Sequence, residues 1–434
     1  MTKIKMKYTF LLLILAGLLI LGCNSQKQTQ STLADSDKTT TTAHKHNGKS
    51  HQHHGEAGPD ANERARRDNS NAGEDEERPK RANKAREQRP GHGAGHGKNP
   101  APQVLHYPEE KHLKNVRQLT FGGDNAEAYW SFDDKHLVFQ ARNDAWGSEC
   151  DQIYLLDPFS DEISPTFKPQ LLSTGLGRTT CSYFMPGDKS IVYASTHLGG
   201  DACPPEPPRG AKYVWPIYES FDIFTADLDG NLITQLTDEP GYDAEATLSP
   251  DGSLIVFTSI RTGDLELYTM KPDGSDVKQV TFGLGYDGGA FFSPDGTKLI
   301  FRSSRPQTDE AKAEYKSLLS QGLVQPTKME LYVCNVDGSE LKKITDLGNA
   351  NWAPFFHPSG NKVIFSSNHK SKRGFPFNLF MINVDGTGLE QITFDKTFDS
   401  FPMFSYDGTK LVFSSNRNNG GTRDTNLFIA DWVE

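Results

Sequence analysis

The chain has 434 residues, 46 Lys and Arg against 56 Asp and Glu, a net charge of −10 and a mean hydropathy of −0.60. The acidic excess is concentrated downstream, where residues 104–434 carry 45 acidic and 29 basic side chains. Such a surface repels polyanions, which argues against non-specific nucleic-acid binding and against anionic glycans as ligands.

At the N-terminus, Lys3, Lys5 and Lys7 precede an apolar run over residues 10–21. That run is shorter than the roughly 20 residues a bilayer-spanning helix needs. It ends in Ile20-Leu21-Gly22-Cys23, which resembles a bacterial lipobox. The resemblance implies that residues 1–23 are a lipoprotein signal peptide, cleaved before a lipidated Cys23. Asn24, rather than Asp, after the cysteine points to the outer membrane, with the protein facing the periplasm.

Residues 24–103 hold almost no Val, Ile, Leu or aromatic side chains. Such a segment cannot bury enough apolar surface to offset chain entropy, so a disordered tether is expected. As a flexible coil it reaches roughly 50 Å end to end. Within it, HKHNGKSHQHHG at 44–55 offers His44, His46, His51, His53 and His54 as ligands for Zn, Cu or Ni. The alternative is a solvated low-complexity spacer.

From residue 104 onward three phrases recur six times. One reads QLT, QVT, KIT or QIT; a second reads LIVFTSI, KLIFRSS or KVIFSSN; a third reads ELYTMK, NLFMIN or NLFIAD. An inner apolar run lies between the first and second. Four short strands per unit, repeated six times at about 45–65 residues, predict an all-β, six-bladed propeller over 104–434. The tails Ser249-Pro250-Asp251-Gly252 and Ser293-Pro294-Asp295-Gly296 are turns between first and second strands, where Asp-Gly supplies positive φ. The strand around Val116–Thr120 precedes the first blade, and the last blade stops at its third strand. The N-terminal strand should therefore complete the last blade.

These phrases resemble the WD-like propeller repeat of the TolB family over residues 116–434. The family resemblance implies an envelope protein with a protein partner. In that family an α/β domain precedes the propeller and a peptidoglycan-associated lipoprotein is bound, whereas this chain places a tether there.

The SPDG turns are all tight, while the opposite face carries long loops at 143–151, 197–220, 305–328, 367–376 and 417–425. Binding on such folds usually lives in long loops. The loop 305–328 predicts a helix, capped by Thr308 and ended near Gly322, packing Ala311, Tyr315, Leu318 and Leu319 on the propeller. Seven residues before each turn proline, or its equivalent, stands a polar residue: Asn125, Thr179, Asp243, Asp287, Asn351 and Asp399. One reading has them satisfy loop N–H groups at each strand start. The other has them line a pocket for a divalent cation or a polar partner group, with Glu127 and Glu245 two residues on and Arg178, His197 and Arg302 balancing charge.

Cys150, Cys181 and Cys203 fall on the long-loop face. Two of them should pair in an oxidising compartment, and Cys150 with Cys203 is favoured, although spacing does not fix connectivity. No G-x-S-x-G, H-E-x-x-H or phosphate-cradling motif occurs, so no catalytic residue is assigned. The leading expectation is a monomeric, lipid-anchored cell-envelope propeller binding a protein, peptide or envelope ligand. The runner-up is a metal-dependent, lyase-like enzyme with its site at the same channel mouth.

Overall fold

The computed structural model describes residues 104–434 apart from 208, 209, 211 and 373. Residues 1–103, and with them the expected signal peptide, Cys23 and the histidines His44, His46, His51, His53 and His54, lie outside the described residues. Within them, six four-stranded antiparallel sheets form the blades of a propeller. The inner strands are Asp124–Trp130, Thr179–Phe184, Asp243–Leu248, Tyr286–Phe292, Asn351–Phe356 and Asp399–Phe404. Blade 6 takes its outer strand, Leu113–Gln118, from the N-terminal side, paired with Asn426–Trp432. The ring closes as the phrases require.

The recurring phrases have physical roles. The last residue of each QLT-type phrase turns its hydroxyl inward to accept the N–H that starts the third strand. Thr281 does this for Leu267, Thr345 for Leu331 and Thr393 for Leu379, each at 2.8 Å. In the SPDG turns, the Ser249 hydroxyl donates to Asp251 at 2.6 Å and accepts from the Leu254 N–H at 3.0 Å. Second and third strands are apolar on both faces because each blade is covered by its neighbours. Phe139, Phe257, Phe301 and Phe365 have no exposed surface, and burying each contributes about 1.5–3 kcal/mol.

Every inner strand carries the same irregularity. Its register against the second strand shifts near its third residue in all six blades. The residue at the shift has positive φ: Glu127 at 55°, Cys181 at 42°, Glu245 at 61°, Gly289 at 59°, Ala353 at 46° and Phe401 at 52°. A bulge interrupts the alternation of side chains between the two faces of a strand.

On the long-loop face the loops of blades 2 and 4 meet. Trp215–Pro216 pairs with Leu323–Val324 as a two-stranded arch. The helix Asp309–Leu319 begins on Thr308, whose hydroxyl accepts the Ala311 N–H. Its Tyr315 is buried and donates to Asp264 in the short loop of blade 3 at 2.5 Å. A disulfide between Cys150 and Cys203, 5.9 Å apart at Cα, ties the loops of blades 1 and 2. Cys181 and Cys334 are buried free thiols.

Candidate functional site

The six-member polar column is buried throughout. Its backbone N–H groups reach back one blade: Asn125 to Thr425 O, Thr179 to Asp151 O, Asp243 to Phe221 O, Asp287 to Leu265 O, Asn351 to Met329 O and Asp399 to Phe377 O, at 2.9–3.2 Å. The three aspartates are each held by an arginine of their own blade. Asp243 meets Arg261 at 2.9 Å, Asp399 meets Arg417 at 3.1 Å, and Asp287 pairs with Arg305. Burial still pushes Asp287 and Asp399 up to about 6, against the pull of those arginines. The Asn351 amide donates to Met329 O at 2.8 Å, and Thr179 donates to Asp151 O at 3.0 Å. The column is thus a blade-to-blade stitch. Asp243, Asp287, Asn351 and Asp399 do not line the channel mouth, which corrects the expectation of a carboxylate ring there.

The bulge explains the difference. Regular alternation would put residues two apart on one side of the strand. The positive-φ residue instead swings toward the axis while the column residue turns into the blade. The channel is therefore ringed by Glu127, Cys181, Glu245, Gly289, Ala353 and Phe401, all of which line one cavity of about 730 Å³. Blades 1–3 give that ring its acidic and polar half, and blades 4–6 give it small and apolar residues.

Within the acidic half, Glu245 is saturated. It accepts from Thr258 at 2.7 Å, from Tyr286 OH at 2.8 Å, from the Gly289 N–H at 2.8 Å and from Arg302. The guanidinium of Arg302 is nearly buried between the rings of Tyr286 and Trp215, 5.1 and 5.4 Å from their centroids. Although burial opposes it, Arg302 and these hydrogen bonds hold Glu245 below the usual carboxylate range. Glu127 differs. Its partner is the Cys181 thiol, at 2.9 Å, and it makes no ion pair among the described residues. Burial pushes Glu127 up to about 7, with the Glu245 charge adding to the effect against the thiol hydrogen bond. At the rim Arg178 pairs with Glu206 and lies 3.7 Å from Asp151.

The opposite wall is aromatic. Trp352 stacks on Phe377 at 4.5 Å and meets Trp215 at 5.2 Å. Phe377 continues to Phe375 at 5.8 Å and to Phe398 at 5.6 Å, and Phe398 reaches Phe401 at 6.4 Å. Tyr213, 57% exposed, and Phe375, 63% exposed, form its open rim. The Trp352 indole N–H donates to Pro326 O at 2.8 Å, fixing the wall to the loop of blade 4. Sequence reasoning missed this wall. Tyr213, Trp215 and Phe375 sit in loops that follow no repeat spacing. The density of aromatic residues in 213–221 and 375–377, YVWPIYESF and FPF, was the signal available.

Of the residues expected at a site, Asn125, Glu127, Arg178, Thr179, Glu245 and Arg302 line the cavity. His197 lies away from it, packed on Phe224 at 4.5 Å with its Nδ1 2.9 Å from the Ser195 hydroxyl. Among the described residues no group of three or more His, Cys, Asp or Glu is disposed to hold a metal ion. The donor set does not fit a divalent cation, since the aspartates are committed to arginines and Glu245 to four donors.

The fold is a six-bladed β-propeller with a loop-walled, largely apolar cavity at one end of its channel. Residues 208–328 match the family described as the TolB beta propeller domain; the propeller is TolB-like. An uncharacterized protein of Agrobacterium fabrum is 28% identical over 147 residues, which is 34% of this chain and 28% of that protein's length. Among solved structures, a putative TolB from Agrobacterium tumefaciens is similar at 20% identity, over 72% of this chain and 91% of that one, with a TM-score of 0.46. TolB from Acinetobacter baumannii is similar at 18% identity, over 72% of this chain and 64% of that one, with a TM-score of 0.42. An oligogalacturonate lyase in complex with manganese is similar at 14% identity, over 74% and 93%, with a TM-score of 0.42.

Proposed function

We propose that this is a lipid-anchored propeller of the cell envelope that binds a protein or peptide partner on its long-loop face. An apolar or aromatic side chain of the partner seats against Trp215, Trp352 and Phe377. The observation that carries this reading is the continuous aromatic wall ending in the exposed rings of Tyr213 and Phe375. Exposed aromatic surface around a concave site is the usual ground for a binding hot spot. The TolB-like propeller supports a cell-envelope location and a binding role. The stretch Ile20-Leu21-Gly22-Cys23 supports the lipid anchor. The lyase-like alternative asks for a metal-ligand set that the described residues do not assemble.

A displayed random-peptide library, selected on the full-length protein, tests the binding role. Peptides rich in Trp, Tyr or Phe should be enriched, and the Tyr213→Ser, Phe375→Asp double variant should lose them. Identical selection on both proteins would remove the cavity from consideration. Palmitate labelling of the wild type against Cys23→Ser tests the anchor, which falls if the wild type takes up no label.

A further inference from the structure

Four carboxylates and two guanidinium groups line the cavity. Both guanidiniums are engaged: Arg302 with Glu245, Arg178 with Glu206 and Asp151. Among the described lining residues no cation is left for an anionic ligand. Asp124 lies at the rim and pairs with Arg142 at 2.8 Å. Among the described residues that leaves Glu127 as the lining carboxylate without a cationic partner, half-buried and bonded to a thiol. A wholly apolar ligand would seal that carboxylate from water with only a weak donor against it, which is costly. The walls meanwhile present aromatic rings, whose faces attract cations.

We infer that the cavity selects an organic cation, an alkylammonium or guanidinium group on an apolar stem, such as a Lys or Arg side chain of a bound peptide, with Glu127 as its counter-charge. This rests on the reading of the cavity as a peptide site. The groups facing Glu127 are Cys181 from blade 2, Glu245 from blade 3, Arg302 from blade 4, Asp151 from the loop of blade 1, and Tyr129 on its own strand. Cys181, pushed well above the ordinary thiol range by burial and by the Glu127 charge, stays a neutral donor. Among the described lining residues the charge free to answer a ligand is thus that of Glu127, and it is lost as pH falls through about 7.

The test is calorimetry on the full-length protein with three blocked dipeptides: acetyl-Phe-Lys-amide, acetyl-Phe-norleucine-amide and acetyl-Phe-Glu-amide. The lysine peptide should bind at least about tenfold tighter than the other two, the range of one close charge pair. Its affinity should fall between about pH 8 and pH 6, where lysine itself stays charged. In Glu127→Gln both the preference and the pH dependence should vanish; the pH series on the wild type gives the same answer should that variant fold poorly. Equal binding of the lysine and norleucine peptides, abolished by Tyr213→Ser with Phe375→Asp, would overturn the cation while leaving the peptide site standing. If none of the three binds, the peptide site and the cation fall together.

Discussion

Arg417 Nη2 lies 3.1 Å from Asp399 Oδ2 and 2.8 Å from Glu110 Oε1, and none of the three side chains has exposed surface. The guanidinium also stacks on Phe413 and Tyr107, at 4.9 and 5.4 Å, and a second nitrogen donates to Leu105 O at 3.0 Å. One arginine therefore joins the stitching column of blade 6 to the segment that leads into the closing strand. Arg417→Met should cost about 3–5 kcal/mol, the penalty for stranding buried carboxylates. Adding Asp399→Asn and Glu110→Gln should restore most of that loss. Urea unfolding measures both, and a single-variant cost below about 1 kcal/mol would contradict the assignment.

The bulge makes opposite predictions at two ring positions. Ala353 holds a φ of 46°, so Ala353→Gly should be neutral or stabilising by up to about 1 kcal/mol. At Gly289 a Cβ would come within 1.8 Å of the Arg302 guanidinium, which is pinned by its aromatic neighbours. Gly289→Ala should destabilise by more than about 1 kcal/mol and displace Arg302 from Glu245. Thermal unfolding of the two variants side by side decides; equal shifts would sink the account.

Stability should fall as pH rises from mildly acidic to neutral. Burial, the largest cause at each group, lifts Glu127 and Glu266 to about 7 and Asp222, Asp287 and Asp399 to about 6. Each folded value lies above its unfolded one, so the folded chain binds more protons between about pH 4 and pH 7. The sign is a loss of stability through that window, complete above it. The turn carboxylates Asp251 and Asp295 are shifted the other way by serine hydroxyls; their contribution is lost only below the window. Urea midpoints at about pH 5.5 and pH 8 should show the fall, with a shallower slope in Glu127→Gln. A stability that rises between those two values would refute it.

Reducing the Cys150–Cys203 bond opens a 53-residue loop, for which chain entropy sets an upper bound of about 4 kcal/mol. Blades 1 and 2, which the bond links, keep their own sheet pairing without it, so the loss should be local. Hydrogen exchange with and without reductant should quicken in 197–220 and leave blade 5 unchanged. Uniform acceleration across the propeller would show the bond to be global in effect.

The fold was legible because its signals are local and repeated. The Asp-Gly turns and the QLT-type phrases each follow from a few adjacent residues, and the order of the phrases placed the closing strand. The helix on Thr308 was legible for the same reason. The site was legible only in part. Asp243 and Asp287 looked like channel residues because a regular strand would place them beside Glu245 and Gly289. The bulge that separates them leaves no mark in residue type, since Glu, Cys, Gly, Ala and Phe all occupy it. One clue was present: Ser259-Ile260-Arg261, Ser303-Ser304-Arg305 and Ser415-Asn416-Arg417 occur in the three blades whose column residue is Asp. Where that residue is Thr179 or Asn351, His197 or His369 replaces the arginine. Such matching of charge within a blade marks a paired, internal carboxylate. The aromatic wall was not legible because Trp215 reaches Trp352 only through the arch, a pairing of two loops more than 100 residues apart.

The cavity rim is held at nearly every joint: a disulfide between blades 1 and 2, an arch over blade 3, the Trp352–Pro326 bond between blades 4 and 5, and the Thr425–Asn125 bond between blades 6 and 1. A rim fixed in this way has little loop entropy left to lose when a ligand arrives. Association should then be a single step, with an observed rate linear in ligand concentration and with differences among ligands appearing in their dissociation. Heat would be released, because the ligand meets a preformed and poorly hydrated aromatic surface, and the heat capacity would fall on binding.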